Sequence, residues 1–127
     1  MHTYSFEKLV VWKEARELVV WIYSITKEYP SEEKFGLVTQ LRRAAVSVVS
    51  NLAEGSSRKS AKNQAHFSQI AYSSLLEILT QLILSGDLHF IPEDTVTEGR
   101  SKIENLTMKI AALRNAQLAR AASDPKP

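Results

Sequence analysis

The chain has 127 residues, 44% of them apolar, with 16 basic and 14 acidic side chains and no cysteine. That length suits one domain with a core of its own, and the missing cysteines exclude disulfides, thiolate zinc sites and cysteine nucleophiles. A formal net charge of +2 neither requires nor forbids a nucleic-acid partner, so local clustering has to carry that question.

Residues 6 to 27 place Val11, Ala15, Leu18, Ile22 and Ile25 on one stripe, with Trp12, Val19 and Tyr23 beside it, the pattern of an amphipathic helix. Trp21 falls off that stripe and is a candidate for an interface. Tyr29-Pro30 ends the segment, because the residue before a proline is pushed out of the helical region. Ser31 is the expected N-cap of a second helix that runs to Glu54, with Glu32 and Glu33 where a helix start favours negative charge and Gly55 as its left-handed terminator. On this helix Leu37, Leu41, Val48 and Leu52 take one side, Val46, Val49 and Ala53 another, and Gln40, Ala44, Ser47, Asn51 and Glu54 a third. Apolar surface that nearly encircles a helix implies cover by neighbouring helices or by other subunits.

Ser60 is a second expected N-cap, for a helix that carries Phe67, Ala71, Leu75, Ile78, Leu82 and Ile83 and stops after Ser85 at Gly86. Pro92 suits the first turn of a fourth helix, followed by Glu93 and Asp94. There Val96, Ile103 and Ile110 recur every seven residues with Gly99, Leu106 and Leu113 interleaved, a narrow seam of the coiled-coil kind. Connections this short fold each helix back beside its predecessor, which predicts an all-α, up-and-down antiparallel four-helix bundle. Residues 1–121 form its single domain, and residues 122–127 are expected to be a disordered tail. The first residues lack a signal-peptide pattern and no apolar run approaches the ~18 residues that span a bilayer, so a cytoplasmic protein with no membrane partner is expected.

Several motifs recur together: Phe6-x-Lys8-Leu9-x-Val11-Trp12, Tyr29-Pro30, Phe35-Gly36-Leu37, Gln40-Leu41-Arg42-Arg43-Ala44-Ala45-x-Ser47, Asn51-x-Ala53-Glu54-Gly55 and Ser73-x-x-x-Glu77. In order and spacing they resemble the 23S ribosomal RNA intervening-sequence protein family of small bacterial four-helix bundles, over residues 6 to 113. The resemblance implies a four-helix protomer assembled as a ring-like homopentamer. It extends to the accessory proteins of diversity-generating retroelements, which implies RNA or DNA, or a protein, as partner.

Two constellations stand out as sites. The first is the polar line Gln40, Ser47, Asn51 and Glu54 together with Arg43, Ser73 and Glu77. A buried Arg43 would need a partner, for which Glu77 is the first choice and Glu54 the second, either as an ion pair within or between subunits or as a pocket around Gln40, Arg43 and Glu77. The second is the cluster Arg58, Lys59 and Lys62 at a helix N-terminus, suited to phosphate contacts that carry no sequence information. Arg42, Arg100, Lys102, Lys109, Arg114 and Arg120 offer further cations along the helices. His2, His66 and His89 are far apart and make no metal-ligand spacing, and no phosphate loop or serine elbow occurs. The expectation is therefore a protein without catalytic residues, cofactor or metal: a nucleic-acid module or, alternatively, a protein-interaction scaffold.

Overall fold

The computed structural model describes residues 1–123. Four helices follow in order, α1 Val10–Thr26, α2 Leu37–Ser56, α3 Ala61–Asp87 and α4 Glu93–Ser123, with short 3-10 turns at Ser5–Lys8 and Ser31–Glu33. No strand occurs among the described residues. Each helix packs on its chain neighbour, and α1 meets α4 to close the square, while the backbones of neither diagonal pair approach one another. This is the up-and-down four-helix bundle. Asp124 to Pro127, within the expected tail, lie outside the described residues, and the tail's first two residues, Ala122 and Ser123, continue α4.

The core follows the apolar stripes. Ile22 of α1, Leu41 and Val48 of α2, Leu75, Ile78 and Leu82 of α3, and Ile103, Leu106 and Ile110 of α4 are all fully buried. The seven-residue seam of α4 faces inward at Gly99, Ile103, Leu106 and Ile110. α3 has the length and apolarity of a membrane span by composition, and one face of it packs on α2 and α4 while Leu76, Ile83 and Leu84 stay exposed. Its length follows from 27 residues, about 40 Å, against about 25 Å for the 17 residues of α1.

Helix boundaries differ from the sequence reading where caps compete. The chain enters α1 through a 3-10 turn closed by the Glu7 carboxylate, which accepts the Tyr4 N–H at 2.8 Å, and Leu9 is extended. α2 begins at Leu37, six residues after Ser31, because Glu33 rather than Ser31 accepts the Leu37 N–H, at 3.2 Å. At the other end of α2, Gly55 is helical and no glycine adopts positive φ. What Gly55 supplies is closeness: a Cβ there would stand 3.0 Å from the Phe67 Cβ of α3. Ser60 does cap α3, accepting the Asn63 N–H at 3.1 Å. α3 runs past Gly86, whose Cβ would meet Val96 at 2.8 Å, and the left-handed residue is His89 at φ 63°. His89 donates to the Gly86 carbonyl and Phe90 to that of Ser85, the paired hydrogen bonds of a Schellman motif with histidine where glycine is usual.

Trp21, singled out in the sequence as an interface candidate, makes a contact within the protomer. It is half-buried and lies across Gly99, where an added Cβ would come within 2.9 Å of the indole and 2.6 Å of Leu82. The missing side chain on α4 makes room for the large one on α1.

Candidate functional site

The polar line of α2 lies on the seam with α3, and its members divide by depth. Ser47 and Ser74 hydroxyls meet at 2.9 Å, and Asn51 Nδ2 donates to the Ser47 carbonyl at 2.8 Å and to its hydroxyl at 3.0 Å. Two turns further toward the α2 N-terminus, buried Gln81 donates to Gln40 Oε1 at 3.2 Å. These bonds tie α2 to α3 at two heights.

Arg43, Glu54, Ser73, Glu77 and Gln40 are exposed, so the buried network with Arg43 at its centre is not what the fold builds. Arg43 and Glu77 make no ion pair. Arg43 sits on the outer flank of α2, where water solvates the guanidinium and no internal partner is required. Glu54 pairs instead with Arg58, one turn along, at 3.3 Å. Ser73 accepts from Gln69 at 3.3 Å. His66, Ile70, Ser73, Ser74 and Glu77 line a shallow groove on α3 beside the seam. Of the seven singled-out polar residues five are exposed, and Ser47 and Asn51 are half-buried.

The sequence reading missed the buried polar residues that do exist. Ser68 donates to Gln117 at 2.7 Å between α3 and α4, and Ser85 donates to the Gln81 carbonyl at 2.7 Å. The Tyr29 hydroxyl is buried beside Ser85 without a hydrogen bond of good geometry, and burial pushes its ionisation above the ordinary range. Only the signal of a polar residue at an inward helical position marks Ser68, Gln81 and Gln117, and each was outvoted by its apolar neighbours.

Arg58, Lys59 and Lys62 are all exposed at the α2–α3 turn. Arg58 is partly committed, paired to Glu54 and stacked over Phe67 at 4.7 Å. Lys59 and Lys62 form no ion pair among the described residues. The antiparallel fold adds a cation from far along the chain: Arg120 of α4 donates to Gln64 Oε1 at 2.8 Å, and Gln64 Nε2 donates to the Arg58 carbonyl at 2.9 Å. Gln64 thus links Arg58 and Arg120 at one end of the bundle. The α1–α2 and α3–α4 connections meet at the other end, where the Tyr29 and Phe90 rings lie 5.7 Å apart. That end carries Glu28, Glu32, Glu33, Asp87, Glu93 and Asp94 against Lys27 and Lys34. The bundle is therefore polarised along its axis, basic at one end and acidic at the other.

Three of the other cations in the sequence reading, Lys109, Lys102 and Arg42, are engaged within the protomer, whereas Arg100 and Arg114 form no ion pair among the described residues. Lys109 pairs with Glu14, and Asn105 donates to the same carboxylate; the Lys109 ammonium holds the Glu14 carboxyl below the usual range. Lys102 pairs with Glu98 at 3.8 Å and lies over Trp21, while Arg42 stacks on Tyr23 at 4.5 Å and donates to Thr26 at 3.0 Å. Among the described residues, no three side chains of metal-binding type converge.

Geometry alone defines the class: an all-α up-and-down bundle with a polar seam on one side and a basic end. The sequence places it further. The family model of the 23S rRNA-intervening sequence protein matches residues 7–112, and the chain belongs to that family. Among curated proteins none matches the chain.

Proposed function

We propose that the protein is a non-catalytic, self-assembling module of the cytoplasm, five copies to a ring as the family resemblance implies, whose basic rim holds the backbone of an RNA or DNA. The observation that carries this reading is the gathering of Arg58, Lys59, Lys62 and Arg120 at one end of the bundle, with acidic residues concentrated at the other. One such end is a small patch. Repeated around a ring of identically oriented copies, it becomes a continuous band of positive charge beside the N-termini of α3, whose free N–H groups also favour anions. Contacts of this kind read the phosphates and leave base identity unread.

The test is fluorescence anisotropy of labelled structured RNA and duplex DNA across a salt series, with Arg58→Glu/Lys59→Glu/Lys62→Glu as control. Submicromolar binding that weakens steeply with salt is expected, because each phosphate contact releases about 0.7–0.9 of a counterion. The control should lose most of that affinity and much of the salt slope. An assembled oligomer that binds neither probe at low salt would overturn the nucleic-acid reading and leave a scaffold for a protein partner.

A further inference from the structure

Ahead of α1 the chain displays a row of aromatic rings, half of which the core does not use. The Tyr4 ring lies near-parallel to Phe6, with centroids 6.2 Å apart and planes 16° off, and His2 stands edge-on to Tyr4 at 4.6 Å. Phe6 in turn meets Trp12 edge-on at 5.0 Å, and the Arg16 guanidinium lies over the Trp12 indole at 5.7 Å. The row is anchored at one end and open at the other. Phe6 and Trp12 are half-buried and Trp12 packs on the core, whereas Tyr4 is 59% exposed and His2 is exposed.

Tyr4 is held in place all the same. Its N–H donates to the Glu7 carboxylate at 2.8 Å, and its carbonyl accepts from the Glu7 N–H at 3.1 Å. Fixing that backbone costs conformational entropy, and the ring recovers little of it by burial within the protomer. An ordered, exposed ring is preorganised for a contact from outside.

The row stands at the basic end. Arg42 of α2 lies over Tyr23 and donates to Thr26, so residue 42 is level with residues 23–26. Because α1 and α2 run antiparallel, stepping back about twelve residues on one and forward about twelve on the other brings Trp12 level with Glu54. The Ser5–Lys8 turn packs on both helices. Tyr4 therefore shares an end of the bundle with Arg58, Lys59 and Lys62.

Local charge points to the same kind of partner. Lys8, Lys13 and Arg16 are exposed and form no ion pair among the described residues. Of the three acids in residues 1–17, Glu7 accepts the Tyr4 N–H and Glu14 pairs with Lys109, which leaves Glu17.

We propose that the row from His2 to Trp12 is a stacking platform for the bases of an unpaired stretch of nucleic acid, with Lys8, Lys13 and Arg16 taking its phosphates. Aromatic faces beside uncommitted cations are the combination that holds single strands, one for the bases and the other for the backbone. A duplex offers its phosphates to the cations but keeps its base faces covered by stacked neighbours, so Tyr4 has nothing to engage. An apolar protein surface would cover the rings and leave the cations facing no opposite charge. Stacking accepts every base, in keeping with a rim that reads no sequence. The inference rests on the nucleic-acid reading above and narrows it to a single strand.

The test is fluorescence anisotropy with labelled oligothymidine and oligouridine of about 12 nucleotides, beside the oligothymidine paired to its complement. Wild type, Tyr4→Ala and Tyr4→Phe are compared. Both single strands are expected to bind more tightly than the duplex. Tyr4→Ala should weaken single-strand binding about tenfold and leave duplex binding and the thermal midpoint unchanged, whereas Tyr4→Phe, which keeps the ring, should bind like wild type. Single-strand binding unmoved by Tyr4→Ala, or a preference for the duplex, would overturn the platform and leave the phosphate-binding rim standing. An equal loss on single strand and duplex would make Tyr4 a support of the rim rather than a stacking surface, and would overturn it as well. If wild type binds no probe at low salt, the nucleic-acid reading falls, and the platform with it.

Discussion

The α2–α3 pair and the α1–α4 pair are both antiparallel helix contacts in one bundle, and they are built on different means. Along α2–α3 the helices approach through small residues, Ala44, Gly55, Ala71 and Ser74, and are pinned by the Ser47–Ser74 and Gln40–Gln81 bonds over a long shared length. Along α1–α4 the overlap is shorter, and the contact depends on one large side chain over one glycine, Trp21 on Gly99, with Glu14 and Lys109 at the rim. The first contact is distributed and the second concentrated. A distributed contact loses a share of its energy when one residue changes, whereas a concentrated one is decided by a single fit.

Three changes probe that difference. The largest effect is expected from Ile78→Ala, in the middle of α3 and fully buried. Removing that side chain should cost about 2–5 kcal/mol and lower the urea midpoint for all probes together. Gly99→Ala comes next: the added methyl would stand 2.6 Å from Leu82 and 2.9 Å from Trp21, so one of them has to move. Overpacking of this kind costs about 1–3 kcal/mol, and quenching or shift of tryptophan emission should accompany the lower midpoint. An unchanged midpoint would mean that α1 sits more loosely on α4 than a single fit allows.

The smallest effect concerns Glu14. Its folded carboxyl titrates below the unfolded value, chiefly through the hydrogen bond from Lys109, so the folded state gains stability above the unfolded carboxyl range. That gain is complete near neutral pH and is lost as pH falls through the depressed folded value. Because the pair is solvent-exposed, the contribution should be at most about 1 kcal/mol. Glu14→Gln should remove this part of the acid dependence in urea midpoints measured between pH 7 and pH 3 while barely moving the midpoint set by α3.

Much of this was legible residue by residue. Ser60 as a cap, Pro92 before α4 and the seven-residue seam of α4 are local patterns, fixed by backbone hydrogen bonding and helical period, and they stand where the periodicity puts them. Gly55 and Gly86 were misread because a glycine near a helix end fits two roles, a left-handed stop and a close approach, and only the neighbouring helix chooses between them. Ser31 lost to Glu33 for the same reason: several side chains offer an oxygen, and the path of the chain decides which reaches the helix start. Whether Arg43 lies inside was left open by the sequence, because a helical wheel orders residues around an axis without saying how far round the neighbours reach.

The sequence by itself determined the four helices, the faces they bury and the family to which the chain belongs, because period, capping and motif order are properties of contiguous residues. The tertiary structure alone decided that Arg120 joins Arg58 at one end, that Trp21 fills the space over Gly99, and that Arg43 and Glu77 face water. Each of these depends on which residues of distant helices come to the same height, and height is set by the packing of the whole bundle.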